Sequence, residues 1–268
     1  MRSAIPTPTT SAVAIGPLTI HFYALCIVVG VGIALWLGNK RFTSAYPAAH
    51  GIVSDVAIFA IPAGVIGGRL YHVATSPEAY FGSSGHLADV FKIWNGGLGI
   101  WGAIALGTLV AFYAYRKLAQ DRDLPSFLAF ADALAPGILI AQAIGRWGNW
   151  FNGELFGRPL RAPWSLEIPR ALRPVGYENF STFHPTFLYE SIWCALIAVL
   201  LLFLRQCLPL GSIFLLYITL YSVGRFFIEG LRIDSAHSFG GFRLNQYVAL
   251  IVALSAASGF TRIMRKRR

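Results

Sequence analysis

Residues 126–157 read SFLAFADALAPGILIAQAIGRWGNWFNGELFG. Nearly twenty mostly apolar residues come first. Arg146, Asn149, Asn152 and Glu154 then follow within nine residues, set between glycines and aromatics. Crossing the hydrocarbon of a bilayer takes about 20 predominantly apolar residues. The stretch therefore reads as a membrane-spanning helix whose polar cluster lies at the depth of the lipid head groups. Asp132, inside the apolar part, is costly in lipid and is expected to face the interior of a helix bundle. Its expected role there is structural.

Six further segments resemble this one. The seven candidate spans are about 18–38, 52–72, 96–115, 126–145, 187–204, 210–229 and 245–262, and residues 93–115 and 206–224 hold no charge at all. The whole chain of 268 residues is 56% hydrophobic and 13% charged, with a mean hydropathy of +0.59. Soluble domains carry about 25% charged residues, so this is the composition of an integral membrane protein. The expected fold is all-α, a single transmembrane domain over 1–268 with seven transmembrane helices. The longest connection, 147–186, is expected to form a small extracytoplasmic cap between helices 4 and 5. No internal repeat is visible. The net charge of +10 is scattered between apolar runs. A nucleic-acid partner would need a water-exposed basic face, so the expected partner is anionic membrane lipid and not nucleic acid.

Basic residues set orientation. Eleven fall on each side of the seven-span arrangement, so the count alone does not decide. The tail TRIMRKRR, 261–268, with five basic residues, and the tight loops holding Lys40, Arg41, Arg116, Lys117 and Arg122 decide for a cytoplasmic C-terminus and an outer N-terminus. The opening segment, MRSAIPTPTTSAVAIGP, has no apolar run behind its charge and does not read as a signal peptide.

With that topology all seven outer helix ends are polar. They carry His21 and Tyr23, Arg69, the run WNGGLGIWG at 94–102, Arg146, His184 with Glu190, Tyr221 through Arg225 and Glu229 to Arg232, and Asn245 with Gln246. A polar chamber near the outer leaflet follows. Tyr221, Arg225, Glu229 and Arg232 recur at helical spacing and form one stripe. Gly96 and Gly97 open the third span, where bare backbone N–H groups make an anion site, and arginines opposite could hold a phosphate in bidentate fashion. Plainer readings stand beside these. Arg225 and Glu229 also fit an ion pair closing a helix end, Arg69 fits a snorkelling side chain, and the glycines of 96–102 fit close helix packing.

No cysteine or histidine spacing suits a metal, and no cofactor is expected. Cys26, Cys194 and Cys207 lie in or beside apolar runs and read as packing residues.

The stretch GRWGNWFNGELFG at 145–157 resembles the signature of prolipoprotein diacylglyceryl transferases, roughly G-R-x-G-N-F-x-N-x-E-x-x-G, with Trp150 in place of the usual Phe. Gly145, Arg146, Gly148, Asn149, Asn152, Glu154 and Gly157 fit it. Supporting likenesses run from His21-Phe22-Tyr23 through GGRLY at 67–71, WNGGL at 94–98 and HPTFLYE at 184–190 to Glu229. The resemblance implies a seven-helix enzyme of the bacterial inner membrane. Such an enzyme moves the diacylglyceryl group of phosphatidylglycerol onto the lipobox cysteine of a prolipoprotein and releases glycerol phosphate. It further implies that Arg146 and Arg225 are essential arginines, with Asn149, Glu154 and Tyr23 as pocket residues. One departure matters. Where some relatives carry an essential histidine after the GGL of the third span, this chain has Trp101.

The attacking sulfur must be a thiolate, and the leaving phosphate gains charge. Arginine stays protonated, so its contribution is electrostatic. With Trp101 at that position, no dedicated histidine base is expected; His21 and His184 are the fallback candidates. The alternative class is a membrane transporter for an anionic solute or lipid. Against it, the charges gather on one side and no inverted repeat appears.

Overall fold

The computed structural model describes residues 4–16, 18–82, 85–120 and 123–266. Arg122, Arg267 and Arg268, counted above on the inner side, lie outside them. Seven long helices occur among the described residues: α1 Phe22–Ala45, α2 Ile52–Thr75, α3 Ile100–Leu118, α4 Phe127–Asn152, α5 Thr186–Leu204, α6 Ser212–Leu231 and α7 Leu244–Lys266. Six of them, all but α3, are long and apolar enough to cross a membrane. The chain is mostly helical but not purely so. Short strands pair as β1 (Ile5–Pro6), β4 (Leu166–Glu167) and β5 (Thr182–Phe183) in one sheet, with β4 central, and as the hairpins β2 (Ala12–Ile15) with β3 (Leu18–His21) and β6 (Ser238–Phe239) with β7 (Phe242–Arg243).

Three boundaries differ from the sequence reading: α3 begins only at Ile100, so Gly96 and Gly97 lie in the loop before it and not at a helix N-terminus. Residues 18–21 form the second strand of a hairpin, so α1 begins at Phe22. Helix α4 does not loosen at Gly148 but continues to Asn152 and stops at Gly153, whose φ of 61° is left-handed. Gly148 is kept by close packing: Tyr23 of α1 covers it, with its Cα 3.1 Å from the point a Cβ would occupy. At 1.5 Å per residue, α4 has risen about 30 Å by Arg146, the thickness of a hydrocarbon core. Its last turns therefore carry the polar cluster beyond the apolar zone.

The chain divides into two compact units, Met1–Gly38 with Leu128–Arg268, and Asn39–Phe127. In the first, α4 is the most buried helix. Ala135, Leu139 and Ala143 of α4 meet Cys194, Ile197, Ala198 and Leu201 of α5 and Ile213 and Tyr217 of α6 in one apolar cluster. Asp132 is buried there, and its carboxylate accepts the backbone N–H groups of Gly211 and Phe214, at 2.5 and 2.7 Å. It thus caps the N-terminus of α6 from another helix, where donors are orphaned and the helix dipole favours an anion. Asp132→Ala should cost about 2 kcal/mol, the range of a lost cap with buried donors left over. Thermal unfolding in detergent reads this; an unchanged Tm would show that the cap carries no stability. Segment 153–185 has its own small core of Phe156, Leu166, Ile168 and Phe183 against Phe187 of α5.

In the second unit α2 and α3 pack backbone to backbone. A Cβ on Gly67 would strike the carbonyl of Gly102, and one on Gly102 would strike that of Gly67. Small residues at such crossings replace the hydrophobic drive that lipid removes. Arg69 is 7% exposed. It does not snorkel. Its guanidinium donates to the carbonyls of Asp89, Val90 (2.8 Å), Gly96 (2.7 Å) and Gly97 (3.0 Å), and lies over the ring of Tyr80. It thereby holds the loop that leads into α3.

Candidate functional site

The polar cluster of the opening stretch forms in the first unit, where the ends of α4, α5, α6 and α7 come together. Arg146 comes from α4, Glu190 from the start of α5, Arg225 and Glu229 from the last turns of α6. Glu190 is the joint. One of its oxygens lies 2.8 Å from Nη2 of Arg146, the other 3.0 Å from Nη1 of Arg225. The Tyr221 hydroxyl donates to the first of these oxygens at 3.1 Å. Glu190 is 3% exposed.

A second carboxylate continues the network. Glu229 is fully buried and receives Arg225 (2.6 Å), Arg243 (2.9 Å), Arg232 (3.4 Å) and the Asn245 amide (3.2 Å). Arg232 and Arg243 both reach Asp234, at 2.7 and 2.9 Å. Burial opposes ionisation of Asp234, but these two guanidiniums outweigh it and hold its carboxyl below the usual range. A depressed carboxyl stabilises the fold above the ordinary pKa of about 3.9 and loses that contribution as pH falls below it. The connected network holds four guanidiniums and three carboxylates, leaving one positive charge in excess.

On α4 the amides form a local chain. Arg146 donates to Asn149 at 3.4 Å, and Asn149 and Asn152 both donate to Glu154, at 2.9 and 3.0 Å. Leu155 follows with φ 58°, the one non-glycine residue with positive φ among the described residues. Such a conformation costs of order 1–3 kcal/mol and persists only where neighbours impose it. Here Thr186 donates to its carbonyl, and the next residues are tied by Gly157 to His184 and by Arg158 to Leu231. A tight recess, with room for little more than one water, lies between Arg146, Asn149, Leu155, Thr186, Phe187, Glu190 and Arg232.

The structure thus brings together Arg146, Asn149, Glu154, Arg225 and Glu229, with Tyr23 packed over Gly148, which is on the same helix as Asn149. Gly96 and Gly97 belong to the second unit. There it is their carbonyls that are engaged, by Arg69, and both have left-handed φ, 84° and 77°. Sequence reasoning noted Glu190 at a helix end without assigning it a role, and passed over Asp234 and Arg243. Only the odd placement of a glutamate at the mouth of an apolar helix could have marked Glu190. His184 bonds Tyr189 at 3.1 Å through Nδ1, and burial together with Arg158 pushes its pKa below the usual value, so it is neutral at pH 7. Among the described residues no group of His, Cys, Asp and Glu has the geometry of a metal site.

Fold and site together define a multi-pass membrane protein with arginines from several helices clamped on buried carboxylates at one end of the bundle. Residues 10–262 match the family model for prolipoprotein diacylglyceryl transferase. The chain is 51% identical over 256 residues to phosphatidylglycerol–prolipoprotein diacylglyceryl transferase 2 of Streptomyces coelicolor, covering 95% of this chain and 79% of that protein. It is 50% identical over 255 residues to the phosphatidylglycerol–prolipoprotein diacylglyceryl transferase of Cutibacterium acnes, covering 94% and 84%. This chain belongs to the prolipoprotein diacylglyceryl transferase family.

Proposed function

We propose that this protein transfers the diacylglyceryl group of phosphatidylglycerol to the lipobox cysteine of a prolipoprotein. A thioether forms and glycerol phosphate leaves. The observation that carries the reading is the convergence of Arg146 and Arg225, from two helices, on one carboxylate at 2.8 and 3.0 Å. Two guanidiniums at that spacing suit the oxygens of one phosphate.

The chemistry follows from these charges. A sulfur electron pair forms the C–S bond at the glyceryl carbon. The C–O bond to phosphorus's oxygen breaks, and its electron pair stays on the departing glycerol phosphate. That group gains one negative charge as it leaves, so preorganised guanidiniums hold the transition state more tightly than the ground state. The same positive field lowers the pKa of a nearby thiol. Tyr23, Asn149 and Glu154 line the approach to Arg146 in this reading.

The basic end of α7, with Arg262, Arg265 and Lys266, is opposite to the end that carries Asn245, supporting a site on the outer face of a bacterial inner membrane and a C-terminus in the cytoplasm. Helix α3, 19 residues long, serves as the seventh span, and segment 153–185 as an extracytoplasmic cap. Against a transporter, Asp132 is spent as a helix cap instead of marking a step along a path.

Incubation of the purified protein with phosphatidylglycerol radiolabelled in its acyl chains and a lipobox peptide tests the reading. Label on the peptide cysteine supports it, and an unmodified peptide sinks it. In the same assay His21→Gln and His184→Gln should each keep kcat within about tenfold. A loss beyond about 10²-fold in either, the scale of general acid–base catalysis, would establish a histidine base.

A further inference from the structure

The thiol must lose a proton before sulfur can attack, and the arginines of the site cannot take it. Arginine stays charged in proteins. Glu190 is the one acid that lines the recess beside Arg146, Asn149 and Arg232. Neither His184 nor His21 is among the lining residues.

We propose that Glu190 is the proton acceptor for the substrate thiol, and that phosphate binding switches it on; the proposal rests on the transferase reading above. The groups facing Glu190 are Arg146 from α4, Tyr221 and Arg225 from α6, and Cys194 one turn further along α5, with Arg232 across the recess. Without lipid, both oxygens of Glu190 are engaged by guanidiniums, one by Arg146 and the other by Arg225. A phosphate bound to the same two guanidiniums replaces it as their counterion. The carboxylate then sits beside a second anion, and like charges sharing a site favour a proton on one of them. Basicity thus appears only when the lipid is in place.

The step balances. The S–H bond breaks and its proton goes to an oxygen of Glu190, while the sulfur pair forms the C–S bond. The C–O bond to phosphate breaks, its pair remains on the leaving glycerol phosphate, and that dianion takes the proton from Glu190 as it departs.

The test compares E190Q and E190D with the full-length wild type in the lipid-transfer assay. E190Q should lower kcat about 10²-fold or more at pH 7, with KM for phosphatidylglycerol within about threefold of wild type. Its rate should climb about tenfold per pH unit towards the thiol's own pKa of about 8.5. E190D, which keeps a carboxylate, should recover part of kcat. A lipobox peptide with selenocysteine, already ionised at pH 7, should bring E190Q close to wild type. An E190Q enzyme with near-normal kcat overturns the proposal. So does one that loses KM instead of kcat, or one that stays equally slow with the selenocysteine peptide. If E190Q does not fold, E190D decides alone: a kcat loss unchanged by selenocysteine overturns the proposal. A wild type that labels no peptide sinks the transferase reading instead.

Discussion

Arg146→Lys and Arg225→Lys are each expected to lower kcat for lipid transfer by about 10²–10³-fold, the usual cost of removing one preorganised donor to developing charge. Lysine keeps the charge but not the fork. Arg146 spans Glu190 and Asn149 with two different nitrogens, and Arg225 spans Glu190 and Glu229 in the same way. An ammonium is a point charge on a flexible stem and cannot hold both partners while it also meets a phosphate. The effect should fall on kcat more than on KM, because the phosphate gains charge on the way to the transition state. Single-turnover assays with labelled phosphatidylglycerol measure it. Arg146→Lys is the cleaner variant, since Arg225 also supports the carboxylate below it. If both enzymes turned over within about tenfold of wild type, the phosphate would have to be held elsewhere.

Glu229→Gln should produce the largest loss of stability, about 3–5 kcal/mol, as expected when one member of a buried ion network is removed. The carboxylate is fully buried and has Arg225, Arg232 and Arg243 around it. A neutral amide leaves three guanidiniums crowded around one site with Asp234 alone to offset the outer two. It also turns an NH2 donor towards donors. Thermal unfolding in detergent should show a Tm lower by roughly 10 °C. Activity should fall with it, since Arg225 loses one of its two anchors. A variant melting within about 2 °C of wild type would show that Glu229 is an incidental neighbour of the arginines.

Much of this architecture is legible along the chain because it is local. A span is a length of apolar residues, and the stripe of Tyr221, Arg225 and Glu229 is a helical period. The match of 145–157 to a family signature is contiguous too. Helix ends were less legible. The apolar run ends at 145, yet α4 continues through Gly148, where Tyr23 of another helix fills the space above it, to Asn152.

What the chain order by itself determined is therefore the set of apolar helices, the polar end of each, and the arginines proposed to meet a lipid phosphate. What only the tertiary structure decided is which carboxylates the arginines meet beyond the i,i+4 pair of Arg225 and Glu229. Glu190 stands 44 residues from Arg146 and 35 from Arg225, Asp132 stands 79 residues from the Gly211 N–H it caps, and Arg243 reaches Glu229 from the second strand of a hairpin. Period and composition report on neighbours within a turn or two. Ion pairs between helices depend on how those helices cross and rotate against each other, and that is set by packing summed over the whole bundle.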